Sequence, residues 1–477
     1  MALKIIIIAV SFFLLTFNLH ATQSFVGDSA RDTVRMMEIW KNKEVTLIGP
    51  PLSLGYGSAR EVYFGSLSLY IGLLGILVSG LDPVGAVIPN IVVFLISIPL
   101  FLSWAKKFTS EKTAYLATMI YAWNPLSINY MRFFWNPNLI IPLTVIFWYL
   151  VSISSFFWAG LIVGVMFNLH YLGILGGVLY GFYLLIIRQW SSLLKFILGF
   201  TVGIIPILVF ELRNSFYLTK SLWLNISSGE KIWSLIEKPP LLVGIANSFL
   251  TPLGFSRSEL GYPILHNFSP TMILAISILI LSLVILRIRN HYKNHSTLIP
   301  HLAILICAIL LLNMSEAAGH TRYIWSVLPI TILLLAELAI SLKNRFAIMA
   351  IMVFVISNSL ANIFTPRLDY ANALPLSDLE SISNIIISDN PPPSYNITET
   401  ITGDARFVSL RYFLLRDATV KPKGEEEYVN LDRLYIITRQ GERPQMIDRW
   451  EFGATPNLTE TQSFPTGSLE VVRYERK

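Results

Sequence analysis

Apolar runs that are candidate membrane spans, several of them short, recur from the start of this chain to about Leu360, which points to a fold of helices packed in a membrane. The first run covers 5–17, behind Lys4; later ones cover 85–103, 113–123, 139–154, 156–167, 171–187, 196–210, 272–286, 298–312, 323–340 and 346–360. The pair 139–154 and 156–167 reads either as two crossings or as one tilted helix. Only 14% of the 477 residues are charged, against about 25% in a soluble chain. A net charge of +6 does not signal nucleic acid, because the lysines and arginines sit in short clusters between apolar runs.

Those clusters set the topology. The run 62–80 is the ambiguous one, since counting it as a span inverts everything after it. If it lies along the outer leaflet, Lys106, Lys107, Lys112, Arg188, Lys195, Arg287, Arg289, Lys293, Lys343 and Arg345 all fall in cytoplasmic loops, as positive-inside bias requires. The expectation is an α-helical polytopic membrane protein with about eleven transmembrane helices and a juxtamembrane helix. Its N-terminus is cytoplasmic, and a small α/β domain outside the cytoplasm forms the tail. The transmembrane domain is expected over 1–360, with external loops 18–84 and 211–270, and the tail over 361–477. The first run also admits a reading as a cleaved signal, with the following loop external in both cases. In the tail, 407–415 reads as a helix and 434–438 and 469–474 as strands. Cys307, alone in an apolar run, reads as a small buried hydrophobe and excludes an intrachain disulfide.

On this topology the unusual polar residues gather on the external face: Asp28, Arg31, Asp32, Arg132, Asn136, Asn138, Glu211, Arg213, His320 and Arg322. Charges beside apolar runs need water, a partner or a ligand, and a guanidinium fork suits phosphate. For Arg132, Arg213 and Arg322 the plain alternative is snorkelling to the interface. Asp28 either caps a helix over 33–40 or serves as a general base. Asp32, one turn later, reads as a local partner of Arg31 or Arg35. Asn136-Pro137-Asn138 reads most simply as a turn, and His170 as a satisfied polar residue at the membrane edge. His301 and Glu337, inside apolar runs, either stitch helices together or line a proton path. Sequons expected on the external side include those at Asn225, Asn396 and Asn457. No H-E-x-x-H, Walker A, G-x-S-x-G or Cys/His zinc spacing occurs in the sequence.

Taken in order, Gly27-Asp28-Ser29-Ala30-Arg31-Asp32, Ile48-Gly49-Pro50, the run 62–80, Arg132 with Trp135-Asn136-Pro137-Asn138, Phe210-Glu211-Leu212-Arg213 and His320-Thr321-Arg322-Tyr323 resemble the C-type polytopic glycosyltransferases that use polyprenyl-phosphate sugars, in the group of protein O-mannosyltransferases and lipid A aminoarabinose transferases. The resemblance covers about three quarters of the chain. It implies a catalytic aspartate in the first external loop, a role that falls on Asp28. It also makes Arg31, Asp32, Arg132, Asn136, Glu211, Arg213, His320, Arg322 and Tyr323 candidates for holding substrate. The implied reaction is inverting transfer of a sugar from a polyprenyl-phosphate donor to an acceptor outside the cytoplasm, a lipid, glycan or protein, at the plasma membrane. Many members use a divalent cation, Mg or Mn, with a second acidic residue in the next external loop; this chain has Asn136-Pro137-Asn138 there, without a carboxylate. The alternative function is a lipid or sugar transporter or flippase, for which coupling residues near mid-membrane and paired broken helices are expected.

Overall fold

The computed structural model describes residues 2–23, 25–52, 61–227, 298–314, 325–364, 373–404, 406–424, 427–443 and 458–476, with isolated positions from 271 to 289. In chain order the elements are α1 (Ala2–Thr16), α2 (Gly27–Asn42), β1 (Ile48–Pro51), β2 (Tyr63–Gly65), α3 (Leu67–Val78), α4 (Ile88–Ala105), α5 (Glu111–Trp123), α6 (Pro125–Met131), α7 (Ile140–Ser152), α8 (Phe156–Leu169), α9 (Leu175–Ile186), α10 (Trp190–Gly203), α11 (Ile205–Arg213), α12 (Tyr217–Ser227), α13 (Ile299–Met314), α14 (Leu328–Ser341) and α15 (Arg345–Phe364), then α16 (Leu376–Ser388), β3 (Tyr395–Glu399), α17 (Val408–Asp417), β4 (Arg433–Arg439), β5 (Leu458–Thr466) and β6 (Leu469–Arg476). They fall into two compact units. One holds residues 1–17, 46–71 and 87–369; the other joins 18–45 and 72–86 to the tail from 370. The sequence divides the chain once, at 360; the second unit also takes in α2.

The first unit is helical and turns large apolar side chains outward. Trp158, Phe182, Trp190 and Leu194 are 56–60% exposed. Apolar exposure on this scale suits contact with lipid. Cys307 belongs to it, exposed on α13, so the expectation of burial does not hold. Among the described residues one helix, Pro83–Ala105 at 23 residues, is long and apolar enough by itself to span a bilayer. A second candidate is α10 with α11, bent by 65°. That break lies where Pro206, in the first turn of α11, cannot continue the hydrogen-bond ladder of α10. The other apolar helices run 10–17 residues. The runs 139–154 and 156–167 are two helices, α7 and α8. Ser154 turns the chain between them with a left-handed φ of 59°. The run 62–80 becomes β2 followed by α3, a 12-residue helix of roughly 18 Å, well short of a 30 Å core.

One contact explains how the helices of this unit approach so closely. Gly160 and Gly164 on α8 face Gly199 and Gly203 on α10. A Cβ at Gly160 would lie 1.9 Å from the Phe196 carbonyl, and one at Gly199 equally close to the Phe157 carbonyl. Two G-x-x-x-G faces thus let the backbones touch, the packing available when lipid supplies no hydrophobic drive. Asn168 closes the seam, donating from Nδ2 to the Gly164 and Gly203 carbonyls at 3.1 and 2.7 Å.

In the second unit the sheet order is β3-β4-β6-β5, with β3 parallel to β4 and the other pairs antiparallel. Tyr428, Leu431, Leu434, Ile436, Val472 and Tyr474 form a core on it. Beside it α17 packs on α16 and α2. Phe25, just before α2, meets Tyr412 and Phe413 edge-on at 5.6 and 6.2 Å. Asn396 is wholly buried. Its Nδ2 donates to the Gly424 and Glu427 carbonyls, and its Oδ1 accepts from Arg411 Nη2 at 2.7 Å. The sequons at Asn225 and Asn396 are therefore closed in the folded chain, while Asn457 lies outside the described residues.

Candidate functional site

The α2 helix starts earlier than expected. Val26 is its N-cap, extended and without a side-chain hydrogen bond, and Gly27 enters the first turn at φ 54°, a left-handed value that glycine adopts without steric cost. Asp28 therefore stands inside the first turn and does not cap a helix over 33–40. A carboxylate there still gains from the helix dipole.

Arg31 ties the two aspartates together. Its Nη1 lies 2.7 Å from Asp28 Oδ1, its Nη2 2.7 Å from Asp32 Oδ1, and its Nε donates to that same Asp32 oxygen at 2.8 Å. Arg35 is engaged elsewhere, with Glu38 and Glu44. The two aspartates differ sharply in surroundings: the Asp28 side chain is 49% exposed, that of Asp32 2%. Asp32 Oδ2 is buried without a hydrogen-bond partner among the described residues, as is Ser29 Oγ one turn before it. Burial pushes the Asp32 carboxyl up to about 7, with Arg31 pulling down and the Asp28 charge adding a smaller push up.

The remaining candidates belong to the first unit. Arg132 is buried and donates from Nη1 to the Leu14 and Phe17 carbonyls at 2.9 and 3.0 Å, closing the C-terminal end of α1. Asn136 donates to the Leu169 carbonyl at 2.6 Å, and Asn138 to those of Tyr130 and Phe133. Glu211 is buried and accepts from the Leu218 and Thr219 amides and the Thr219 hydroxyl, capping the start of α12. Arg213, the last residue of α11, is exposed. His320, Arg322 and Tyr323 lie outside the described residues, as does most of the loop 211–270.

His170 ends α8 with its ring against Phe64 at 4.8 Å. His301 sits among the rings of Phe108, Trp148 and Trp104 with neither nitrogen hydrogen-bonded among the described residues, so it joins helices by ring packing. The sequence reading missed the β1–β2 pair and the corner under it, where Tyr171 donates its hydroxyl to the Tyr63 carbonyl and Gly65 leaves room for Asn168. Paired glycines at 49 and 65, and the polar end of α8 at Asn168-Leu169-His170, are the signals that could have found it.

No group of three His, Cys, Asp or Glu side chains able to hold a metal occurs among the described residues.

No protein-family model and no curated protein matches the sequence. Solved structures do match. The aminoarabinose transferase ArnT from Cupriavidus metallidurans, bound to undecaprenyl phosphate, is similar with a TM-score of 0.60 at 10% identity, over 98% of this chain and 97% of that one. The oligosaccharyltransferase AglB from Archaeoglobus fulgidus, in complex with an inhibitory peptide and a dolichol-phosphate, is similar with a TM-score of 0.50 at 9% identity, over 92% of this chain and 69% of that one. The chain has the fold of the polytopic C-type membrane glycosyltransferases.

Proposed function

We propose that this protein is a membrane glycosyltransferase that moves a sugar from a polyprenyl-phosphate carrier to an acceptor outside the cytoplasm, with inversion and with Asp28 as the base. The observation that carries the reading is the half-exposed Asp28 carboxylate, held by Arg31 at the start of α2, in a chain with the fold of ArnT. Undecaprenyl phosphate in ArnT and dolichol-phosphate in AglB support a polyprenyl-phosphate partner. The outward-facing aromatic and aliphatic side chains support residence in a membrane. About eleven crossings, a cytoplasmic N-terminus and an extracytoplasmic tail complete the topology.

In the reaction the acceptor hydroxyl or amine gives its proton to Asp28 as its lone pair attacks the anomeric carbon. The bond from that carbon to the phosphate oxygen breaks, and its electrons leave with the polyprenyl phosphate. Arg213, His320, Arg322 and Tyr323 are proposed independently as ligands of the donor head group. A cation about 4 Å from phosphate is worth ~4 kcal/mol at an effective dielectric near 20. Arg132, Asn136 and Glu211 each hydrogen-bond to backbone groups, which supports a shaping role for them.

The test is release of polyprenyl phosphate from a panel of labelled undecaprenyl-phosphate sugars incubated with membranes carrying the protein, with and without chelator. Asp28→Asn is expected to lower release by about 10²- to 10⁴-fold while insertion and thermal unfolding stay as in wild type. Near-normal release by that variant would remove Asp28 as the base. Loss of release with chelator would establish the divalent cation.

A further inference from the structure

The backbone between α11 and α12 turns through two consecutive left-handed residues, and neither is glycine. Ser215 has φ 53° and Phe216 φ 61°. Phe216 donates its amide to the Glu211 carbonyl at 2.8 Å, the six-to-one bond that closes many helix ends. The residue before it in such a turn is usually glycine, because the left-handed region disfavours an L side chain. Packing does not hold this corner: residues 212–216 are all exposed, Leu212 at 69% and Phe216 at 52%. Hydrogen bonds do. Asn214 gives its amide and its Nδ2 to the Phe210 carbonyl. Glu211 supplies the rest, since its carbonyl takes Phe216 while its buried carboxylate reaches across the turn to the Leu218 and Thr219 amides and the Thr219 hydroxyl.

Arg213 stands two residues after Glu211, in the last turn of α11, exposed and without an ion pair among the described residues. The helix that carries it has nine residues and is set off from α10 by the 65° break at Pro206. A helix so short has little cooperative stability of its own, so its last turn depends on the contacts that end it. Without them Ser215 and Phe216 relax to right-handed values, and the turn bearing Arg213 frays.

We propose that Glu211 is the positioning residue for Arg213: by holding the left-handed corner closed, its carboxylate fixes the last turn of α11, so that the Arg213 guanidinium meets a lipid-linked phosphate in one orientation. The inference rests on the reading of Arg213 as a ligand of the donor head group. Glu211 touches no substrate itself, because both its carboxylate oxygens already serve α12. A preset guanidinium loses less freedom on binding, so the clamp acts on affinity for the phosphate carrier and not on the chemical step.

The experiment uses the full chain in nanodiscs, with undecaprenyl phosphate as the binding probe. Cys307→Ser removes the chain's one cysteine, so a nitroxide attached after Leu212→Cys reports the motion of the last turn of α11. Glu211→Gln is expected to make that nitroxide more mobile and to weaken binding by about 3- to 10-fold. Arg213→Gln is expected to weaken binding by about 10-fold. Added to Arg213→Gln, Glu211→Gln is expected to change affinity by less than about 2-fold, whereas a role confined to stability would weaken binding alike in both backgrounds. Ser215→Gly, added to Glu211→Gln, removes the Cβ from the left-handed position and is expected to recover part of the binding and of the immobilisation. Full additivity of Glu211→Gln and Arg213→Gln, or an unmoved spectrum in Glu211→Gln, would overturn the proposal. If Glu211→Gln does not fold, Thr219→Val takes away one grip of the carboxylate and leaves its charge; an unmoved spectrum there overturns the proposal equally. Wild-type affinity in Arg213→Gln would overturn it through the ligand reading, and a loosened spectrum in Glu211→Gln would show that the clamp exists and that the reading of Arg213 is what failed.

Discussion

Glu211 and Asp32 are both carboxylates with almost no exposure, 6% and 1%, yet the fold treats them in opposite ways. At Glu211 both oxygens are taken, by two amides and a hydroxyl at 2.5–3.1 Å, so the charge holds a helix end and has nothing further to offer. At Asp32 one oxygen carries all the described contacts and the other carries none. From sequence Asp32 reads as a local partner of Arg31 or Arg35, and Glu211 as one of the polar residues gathered on the external face. What separates them is acceptor capacity left over after the backbone has been served, and that quantity appears only when the chain is folded.

Three substitutions would break or sharpen this contrast. Glu211→Ala should cost the most stability, about 2–3 kcal/mol, because three donors at the start of α12 lose a charged acceptor together. Thermal unfolding in nanodiscs measures it; an unchanged midpoint with weakened donor binding would give Glu211 a ligand role instead. Arg132→Met should cost about 1–2 kcal/mol by leaving the Leu14 and Phe17 carbonyls unpaired at the end of α1, with donor KM unchanged.

Asp32→Asn should do the reverse and stabilise. The native Asp32 carboxyl titrates at about 7 and the unfolded one near 3.8, so between those values the folded chain holds a proton that the unfolded chain has lost. Wild-type stability therefore falls as pH rises from about 4 to about 7, and the neutral variant escapes that fall. Its unfolding midpoint should exceed the wild-type value above pH 7 by on the order of 2–4 °C and match it near pH 4.

Much of the tail was legible because its elements follow a simple period. The helix read at 407–415 is α17, and the strands read at 434–438 and 469–474 are β4 and β6. Their apolar residues alternate or cluster as one-sided burial demands. The neighbouring β5 was not legible: Thr459, Glu460, Gln462 and Pro465 give it the composition of a loop, and it is a strand because β6 pairs with it along its whole length. The β1–β2 pair was not legible, because Pro50 and Pro51 lack the amide donors that a ladder strand uses. In the membrane part, hydropathy located the apolar stretches but not their breaks. Those depend on single residues such as Ser154 and Pro206. Asp28, Arg31 and Asp32 were found as a cluster, and the pairing of Asp32 with Arg31 was read from the sequence, whereas that of Asp28 with Arg31 was not. Nor was the burial of Asp32, because it needs α2 packed in its own unit.

The closed sequon at Asn396 turns the choice of production host into a folding variable. A host that attaches glycans to a nascent chain meets Asn396-Ile397-Thr398 before β3 has paired with β4. A glycan there would occupy the amide nitrogen that Gly424 and Glu427 require and would crowd Arg411 out of its place. The tail unit would then be trapped open during synthesis, and the polypeptide would be recovered at full length yet unable to assemble the sheet beside α17, the helix on which α2 packs.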